Sequence, residues 1–121
     1  MRTTVLIVDD HAGFRRFARR LLEDSGYVVV GEAADGESAC AAAGRLRPDA
    51  VLLDLLLPDT SGITVAAALA AMPDAPSVVL VSSRVAEDIG LPLADAPVRG
   101  FIPKAALTGA AVTALIGAAD R

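Results

Sequence analysis

Short apolar runs rich in valine, isoleucine and leucine alternate along the chain with longer segments in which apolar residues recur every three to four positions. The apolar runs predict β-strands, and the longer segments predict helices with one apolar face. The predicted strands lie at residues 4–8, 28–33, 50–53, 77–81 and 100–103. Because strands and helices alternate from end to end, the pattern predicts a parallel sheet with helices on both of its faces.

The first predicted helix, residues 12–25, has the clearest period. Apolar side chains at i, i+3, i+4, i+7 and i+8 form one stripe that should face the core. These residues are Phe14, Phe17, Ala18, Leu21 and Leu22. Gly26 is expected to end this helix, and further helices are predicted at residues 37–46, 63–72 and 107–119.

The helix between the fourth and fifth strands is predicted to be short or broken. Residues 84–100 contain Gly90, Pro92 and Pro97, and a proline removes a backbone donor and clashes with the preceding turn. The chain, residues 1–121, is therefore predicted to form a single α/β domain. Its sheet should be doubly wound and parallel with five strands in the order 2-1-3-4-5, in a flavodoxin-like three-layer sandwich.

Composition narrows the class of protein. The chain of 121 residues is 54% hydrophobic, with a mean hydropathy of +0.53, but no apolar run approaches the roughly 18 residues of a membrane span. Because "MRTTVLIVDD" lacks the pattern of a signal peptide, we expect a cytoplasmic protein with no membrane partner. The single cysteine, Cys40, excludes an internal disulfide. A net charge of -4 argues against direct binding of nucleic acid by this segment.

Polar residues end four of the five apolar runs. Asp9 and Asp10 follow the first strand, Asp54 the third, Ser82 the fourth and Lys104 the fifth. Carboxyl ends of parallel strands meet at one edge of the sheet, so we expect all five side chains to converge there. Two carboxylates about 4 Å apart repel by about 4 kcal/mol at an effective dielectric near 20. The cluster therefore predicts a site for a hard cation, Mg²⁺ or Mn²⁺ in its place.

The same residues suit phosphoryl chemistry. An ammonium group and a metal ion would neutralise phosphoryl oxygens, while the Ser82 hydroxyl would donate to one of them. Asp54, in the centre, is the natural nucleophile.

Four motifs in this order and spacing resemble the receiver domains of two-component response regulators, similar to chemotaxis regulators. They are "VLIVDDH", "DAVLLDLLLPDTSG", "VVLVSS" and "GFIPKAAL", and the likeness extends over essentially the whole chain. The resemblance implies that Asp54 accepts a phosphoryl group from the phosphohistidine of a histidine kinase or a phosphotransfer protein. It further implies that Asp10, Asp54 and the backbone carbonyl of Leu56 hold Mg²⁺, with Asp9 reaching the ion directly or through water.

The resemblance also assigns contacts and a switch. Ser82 and Lys104 would contact the phosphoryl oxygens, and Ser82 and Phe101 would change position on phosphorylation. Arg15, Arg16, Arg19 and Arg20 are either an ordinary solvated face or a docking surface for the kinase. His11 is interpreted as structural because no second histidine completes a ligand set. The "GFIPK" and "DLLLPDTSG" segments look most like receivers that precede helix-turn-helix output domains, and a homodimer stays open.

Two departures from the family pattern stand out. Phe101 lacks the hydroxyl that many members carry at this position, so no tyrosine hydrogen bond can form part of the switch. Pro103 precedes Lys104, whereas the family often places proline directly after the lysine. Because proline cannot donate to a sheet ladder, Pro103 is compatible only with an edge strand.

Three alternatives to a phosphorylated receiver are considered. The first is a receiver-like interaction module that phosphorylation does not switch, for which the broken helix is the best support. The second is a Mg²⁺-dependent phosphohydrolase, although a chain with such short loops has no room for a substrate lid. The third, a flavin-binding protein, lacks a phosphate loop after the first strand. We therefore expect self-phosphorylation and slow autodephosphorylation but no turnover of an external substrate.

Overall fold

The computed structural model describes residues 2–83 and 96–120, which form a five-stranded sheet in the order β2-β1-β3-β4-β5. The strands are β1 (Thr4–Val8), β2 (Val28–Ala33), β3 (Ala50–Asp54), β4 (Ser77–Ser82) and β5 (Gly100–Pro103). Every neighbouring pair is parallel. The predicted fold class is confirmed, and each strand lies within one residue of its predicted bounds. As Pro103 requires, β5 is an edge strand.

Four helices lie within the described ranges: α1 (Ala12–Asp24), α2 (Gly36–Leu46), α3 (Gly62–Ala70) and α4 (Gly109–Ile116). A 3₁₀ turn, Lys104–Ala106, follows β5. Gly26 adopts a φ of 96° just after α1, as a helix-ending glycine does. The helix predicted to be short or broken was placed in residues 84–100, of which residues 84–95 lie outside the described residues. None of the described helices has the length and apolar character that crossing a bilayer requires.

The predicted bounds of the last helix, residues 107–119, were wrong, since α4 is shorter at both ends. Its first turn is capped by the Thr108 hydroxyl, which accepts a hydrogen bond from the Ala111 amide at 3.0 Å. Its last turn ends at Gly117, where φ is 91°. A threonine cap and a glycine with positive φ therefore outweigh the continuous apolar and alanine-rich pattern that suggested a longer helix.

The core has two layers, one on each face of the sheet. On one face, α1 and α4 pack on β-strand side chains such as Val5, Ile7 and Leu52. On the other face, α2 and α3 pack on side chains such as Leu6 and Leu53. Successive side chains of each strand point to opposite faces of the sheet, and helices cover both faces. The strands are therefore continuous apolar runs in the sequence.

The predicted stripe of α1 needs one correction, because Phe17 is 52% exposed. Ala18 and Leu22 are fully buried, while Phe14 is half-buried. The buried face of α1 is therefore centred on Ala18 and Leu22, and Phe17 lies outside it. On the other side of the stripe, Arg15 and Arg19 pair with Glu32 on β2, and these ion pairs stabilise this orientation of α1.

The edge of the sheet at the amino ends of the strands is closed by hydrogen bonds. The Thr3 amide donates to the carbonyl of Ala119 at 2.6 Å, and Arg2 and Asp120 form an antiparallel bridge. The buried Tyr27 hydroxyl donates to the carbonyl of Gly117 at 2.7 Å and lies 2.9 Å from the Thr113 hydroxyl. The segment after α4 is thereby tied to the start of β1 and β2.

Candidate functional site at the carboxyl edge of the sheet

The predicted convergence at the carboxyl edge is present in the structure. Asp9 follows β1, Asp54 ends β3, Ser82 ends β4 beside Pro103, and Lys104 follows β5. One potential ligand atom from each of Asp9, Asp10, His11 and Asp54 lies within 4.8 Å of the others. Strand order and register alone bring these residues together, because β1 and β3 are neighbours at the centre of the sheet.

Asp54 is the buried centre of the cluster. Only 4% of the residue is exposed, and its Oδ1 accepts a long contact of 3.4 Å from the Leu56 amide. Burial, followed by the Asp9 carboxylate, raises the pKa of Asp54 to about 6, although Lys104 and the Leu56 amide oppose the rise. The free carboxylate is therefore held in an unfavourable charged state, as expected for a group that is stabilised by something binding to it.

Asp9 presents one satisfied and one unsatisfied oxygen. Its Oδ1 accepts a hydrogen bond from the His11 amide at 2.8 Å. Its Oδ2 is buried and has no hydrogen-bond partner among the described residues. Lys104 Nζ lies 2.6 Å from Oδ2 as its ion-pair partner. A buried carboxylate oxygen left in this condition fits a hard cation, which prefers such oxygens as ligands.

Asp10 and His11 form the outer side of the cluster. The Asp10 side chain is 34% exposed, and the His11 ring Nδ1 lies 3.1 Å from Asp10 Oδ1 and 3.2 Å from Asp9 Oδ1. The sequence interpretation of His11 did not anticipate that its ring would contact both aspartates. Its position directly after the acidic pair was the available signal. Its backbone occupies the N-cap position of α1, without a side-chain capping bond.

Lys104 lies between the acidic cluster and α1. Its Nζ is 3.5 Å from Asp54 Oδ2 in addition to its contact with Asp9, and 16% of the side chain is exposed. On the other side, Nζ lies 4.3 Å from the centroid of the Phe14 ring. Sequence analysis placed Phe14 in the core and missed this contact, since helical spacing does not show which residue meets the end of a distant strand.

The remaining predicted residues lie around this centre. The side chain of Leu56 is exposed, and its residue forms an isolated bridge with Ser61. Ser82 is 1% exposed at the end of β4. Phe101 is half-buried and packs against the core layer that α2 and α3 cover. Ser82 and Phe101 therefore lie on neighbouring strands, with Leu80 directly opposite Phe101 in the register.

The four arginines of α1 do not share one environment. Arg15 Nε and Arg19 Nε each pair with the Glu32 carboxylate at 2.9 Å, and an Arg15 guanidinium nitrogen donates to the carbonyl of Asp9 at 2.7 Å. Partial burial would raise the pKa of Glu32, but hydrogen bonds from Arg19 and Arg15 outweigh it and lower the pKa. Arg16 and Arg20 are exposed. The interpretation of the four arginines as one solvated face therefore fits Arg16 and Arg20 but not Arg15 and Arg19.

The loop after β3 is anchored to its surroundings at two points. The Asp59 carboxylate accepts hydrogen bonds from the amides of Gly36 at 2.8 Å and Glu37 at 3.1 Å, at the start of α2. The bond from the Gly36 amide is the main reason why the pKa of Asp59 is lowered. At the start of α3, a Cβ added to Gly62 would press on the carbonyl of Asp54 and lie 2.9 Å from the Cα of Leu55. Only glycine lets α3 begin this close to the backbone of Asp54.

Comparisons with known proteins agree with this geometry. The family model for the response regulator receiver domain matches residues 5–115. The signal receiver domain of NarL from Mycobacterium tuberculosis superimposes with a TM-score of 0.82 and 32% identity, covering 96% of this chain and 98% of that one. A CheX-CheY-BeF3-Mg+2 complex from Borrelia burgdorferi gives a TM-score of 0.81 and 26% identity, covering 94% of this chain and 86% of that one.

Among curated relatives, a protein-glutamate methylesterase/protein-glutamine glutaminase from Alkalilimnicola ehrlichii is 39% identical over 108 residues. The match covers 86% of this chain but 27% of the relative. Across the first relatives, the chain spans between 23% and 51% of their lengths, so the match concerns a domain that those proteins share. From the strand order, the clustered aspartates with their lysine, and the family match over 111 residues from 5 to 115, we conclude that this chain belongs to the family of response regulator receiver domains.

Proposed function

We propose that this chain is the phosphoacceptor of a two-component phosphorelay and that Asp54 receives the phosphoryl group. One observation carries the proposal: the Asp54 carboxylate is buried among acidic ligand atoms within 4.8 Å of one another, with Lys104 Nζ 3.5 Å away. A carboxylate that served only as a structural partner would be paired and would not face further carboxylates.

The chain's own residues account for the transfer. An Asp54 oxygen attacks the phosphorus of a phosphohistidine on the donor, forming the O–P bond of an acyl phosphate. The P–N bond breaks, and its electron pair stays on the imidazole nitrogen of the donor. Lys104 neutralises charge on the phosphoryl oxygens, and Ser82 donates its hydroxyl to one of them. In slow hydrolysis, water attacks the phosphorus, the bond between the phosphorus and the Asp54 oxygen breaks, and inorganic phosphate leaves as the Asp54 carboxylate is restored. No external substrate is turned over.

Asp9, Asp10, Asp54 and the backbone carbonyl of Leu56 would hold Mg²⁺, for which Mn²⁺ can substitute. The fit rests on the buried, unsatisfied Oδ2 of Asp9 and on the all-oxygen character of the carboxylate set. When bound, the ion supplies neutralisation of phosphoryl charge. A CheY–CheX complex with BeF3 and Mg, as named for the Borrelia relative, supports the same chemistry here.

The output of the switch is proposed to begin at Ser82, which ends β4, and at Phe101 on the neighbouring edge strand β5. For the kinase or phosphotransfer partner, the exposed Arg16 and Arg20 are better candidates than Arg15 and Arg19, which are engaged by Glu32. We expect this chain to bind its kinase or phosphotransfer partner in the cytoplasm. The alternative of an unswitched interaction module is not favoured, because its main support falls outside the described residues while the charged cluster is complete.

Acetyl phosphate with Mg²⁺ tests the proposal directly. We expect intact-mass analysis to show one added phosphoryl group and peptide mapping to place it on Asp54. Asp54→Ala should lose the label, whereas Asp49→Ala, at the other end of β3, should keep it. Label that persists in Asp54→Ala, or that maps to another residue, would contradict the assignment.

A beryllofluoride titration tests the switch separately. In the wild-type protein with Mg²⁺, amide resonances around Ser82 and Phe101 should shift as the ligand saturates. A protein that is labelled on Asp54 but shows no change at these two residues would be a phosphoacceptor without the proposed output.

A further inference from the structure

Lys104 is the single lysine of the chain, and within residues 2–83 and 96–120 its ammonium group has two kinds of neighbour. On one side lie the carboxylates of Asp9 and Asp54, 2.6 and 3.5 Å from Nζ. On the other lies the face of the Phe14 ring, with its centroid 4.3 Å from Nζ. A cation at this distance from a ring is attracted by the negative potential of the ring face.

The two kinds of neighbour differ in what happens to them during signalling. Both carboxylates are, in the proposed function, recruited by the metal ion or converted to the acyl phosphate. The ring of Phe14 binds neither a metal ion nor a phosphoryl group, so its attraction for the ammonium persists through each of these states. Among the neighbours of Lys104 in the part of the chain that the structure describes, the Phe14 ring is the one whose charge and bonding do not change.

Packing holds the ring in place. Phe14 is half-buried and packs against the core layer that contains Ala18 and Leu22. Its ring also contacts that of Phe17, with centroids 6.2 Å apart. Lys104, in contrast, begins a 3₁₀ turn after an edge strand and has a long flexible side chain. The packed ring on α1 therefore limits where the ammonium group at the end of this long side chain can lie.

We propose that Phe14 is a positioning residue for Lys104. Its ring is a neutral surface that keeps the ammonium group at the phosphoryl site while the carboxylates around it change partners. This inference rests on the proposed function of Asp54, although the contact itself does not.

The electrostatic part of the proposal is tested by fluorination at Phe14. Site-specific replacement with mono-, di- and trifluorophenylalanine weakens the ring's attraction for a cation stepwise with little change in shape. We expect the rate of labelling by acetyl phosphate, and the affinity for beryllofluoride with Mg²⁺, to fall stepwise by about threefold to tenfold in all. The same replacements at Phe17 are the matched control and should leave both quantities unchanged.

A second measurement reads the contact without metal ion or phosphoryl group. In protein labelled with ¹³C and ¹⁵N only in lysine, one set of resonances reports on Lys104. The ring current of Phe14 should shift the ε-methylene protons upfield from those of free lysine. Phe14→Leu should abolish this shift, while Phe17→Leu should retain it.

The outcomes separate the inference from the function on which it rests. Normal labelling of Asp54 together with a flat fluorination series at Phe14 would overturn the positioning role alone. An ordinary ε-methylene shift in the wild-type protein would overturn the contact. Failure of Asp54 to be labelled, with the ring-current shift present, would instead reject the phosphoacceptor assignment.

Discussion

The two ends of β3 carry the same residue type in opposite circumstances. Asp49 lies just before the strand and is exposed; its Oδ2 accepts bonds from the amide and hydroxyl of Thr4 at 2.9 and 3.1 Å. Its own amide donates to the Thr4 hydroxyl at 2.9 Å. Asp54 ends the strand, is buried, and faces Asp9. The first carboxylate is satisfied by its neighbours, whereas the charge of the second is relieved only in part by Lys104.

Asp59 shows that sequence proximity does not decide between these circumstances. It lies five residues after Asp54, yet it is satisfied by two amides at the start of α2 and its pKa is lowered. The pKa of Asp54 is raised to about 6. The pKa values of Asp54 and Asp59 are therefore shifted in opposite directions, and each direction follows from what surrounds the carboxylate.

The largest effect on stability is expected at the reactive end, from Gly62→Ala. The new methyl group would press on the backbone of Asp54 and Leu55, so we expect a loss of about 3 kcal/mol in the free energy of unfolding. Gly44→Ala is the matched control within α2, since a Cβ there meets nothing within 4 Å. It should add about 0.5 to 1 kcal/mol. Urea denaturation measures both; equal effects would mean that the approach of α3 to Asp54 is not tight.

The second prediction is a difference in sign between Asp54→Ala and Asp49→Ala. Since the folded-state pKa of Asp54 is about 6, above the ordinary 3.8, the folded protein binds more protons between these values. Stability of the metal-free protein should therefore fall as pH rises from about 4 to 6, and the penalty is fully present above 6. Allowing for screening at the edge of the sheet, Asp54→Ala should stabilise the protein at pH 7.5 by about 1 to 2 kcal/mol.

Asp49→Ala should instead destabilise the protein by about 1 kcal/mol, because it removes two accepted hydrogen bonds. Thermal unfolding between pH 4 and 8 tests both variants. The fall in stability between pH 4 and 6 should persist in Asp49→Ala and become shallower in Asp54→Ala. If both variants changed the free energy of unfolding in the same direction at pH 7.5, the distinction between the two ends of β3 would not hold.

The third prediction concerns Mg²⁺ removal. A ligand at ten times its dissociation constant stabilises the folded state by about 1.4 kcal/mol. We therefore expect millimolar Mg²⁺ to raise the melting temperature of the wild-type protein by about 4 °C or more, and EDTA to reverse the change. Asp54→Ala should respond less, and Asp49→Ala should respond as the wild type does. An unchanged melting temperature in the wild type would count heavily against the cation site.

The smallest expected effect lies at the amino edge of the sheet. Tyr27→Phe removes a hydroxyl that donates to the Gly117 carbonyl and contacts Thr113. We expect a loss of about 1 kcal/mol with labelling by acetyl phosphate unchanged. A change in the labelling rate of this variant would show that the two edges are coupled.

Much of the fold could be predicted from the sequence because its signals are local. Continuous apolar runs predicted strands that are buried on both faces, and helices with one apolar face predicted the three-layer arrangement. The bounds of α4 could not be predicted from periodicity, since a single cap at Thr108 and a backbone reversal at Gly117 decided them. The orientation of α1 could not be predicted from periodicity either, because it depends on contacts of Arg15 and Arg19 with Glu32, which lies on β2.

The acidic cluster was predictable for a different reason. Strand order brings the backbones of Asp9 and Asp54 to the same edge of the sheet, so a short motif at each strand end was sufficient to predict the cluster. The contact of Lys104 with Phe14 and the cap that Asp59 provides to α2 depend on side chains that cross between elements. Such contacts follow from rotamers and loop paths, which a single sequence does not specify.

The bridge between Arg2 and Asp120 has a practical consequence for protein engineering. The two ends of the described chain lie side by side at the edge of the sheet opposite Asp54. A short linker should join them without disturbing the reactive edge, and new termini can then be opened in an exposed loop. This molecule is therefore a suitable scaffold for circular permutation, in which a reporter is inserted close to Asp54.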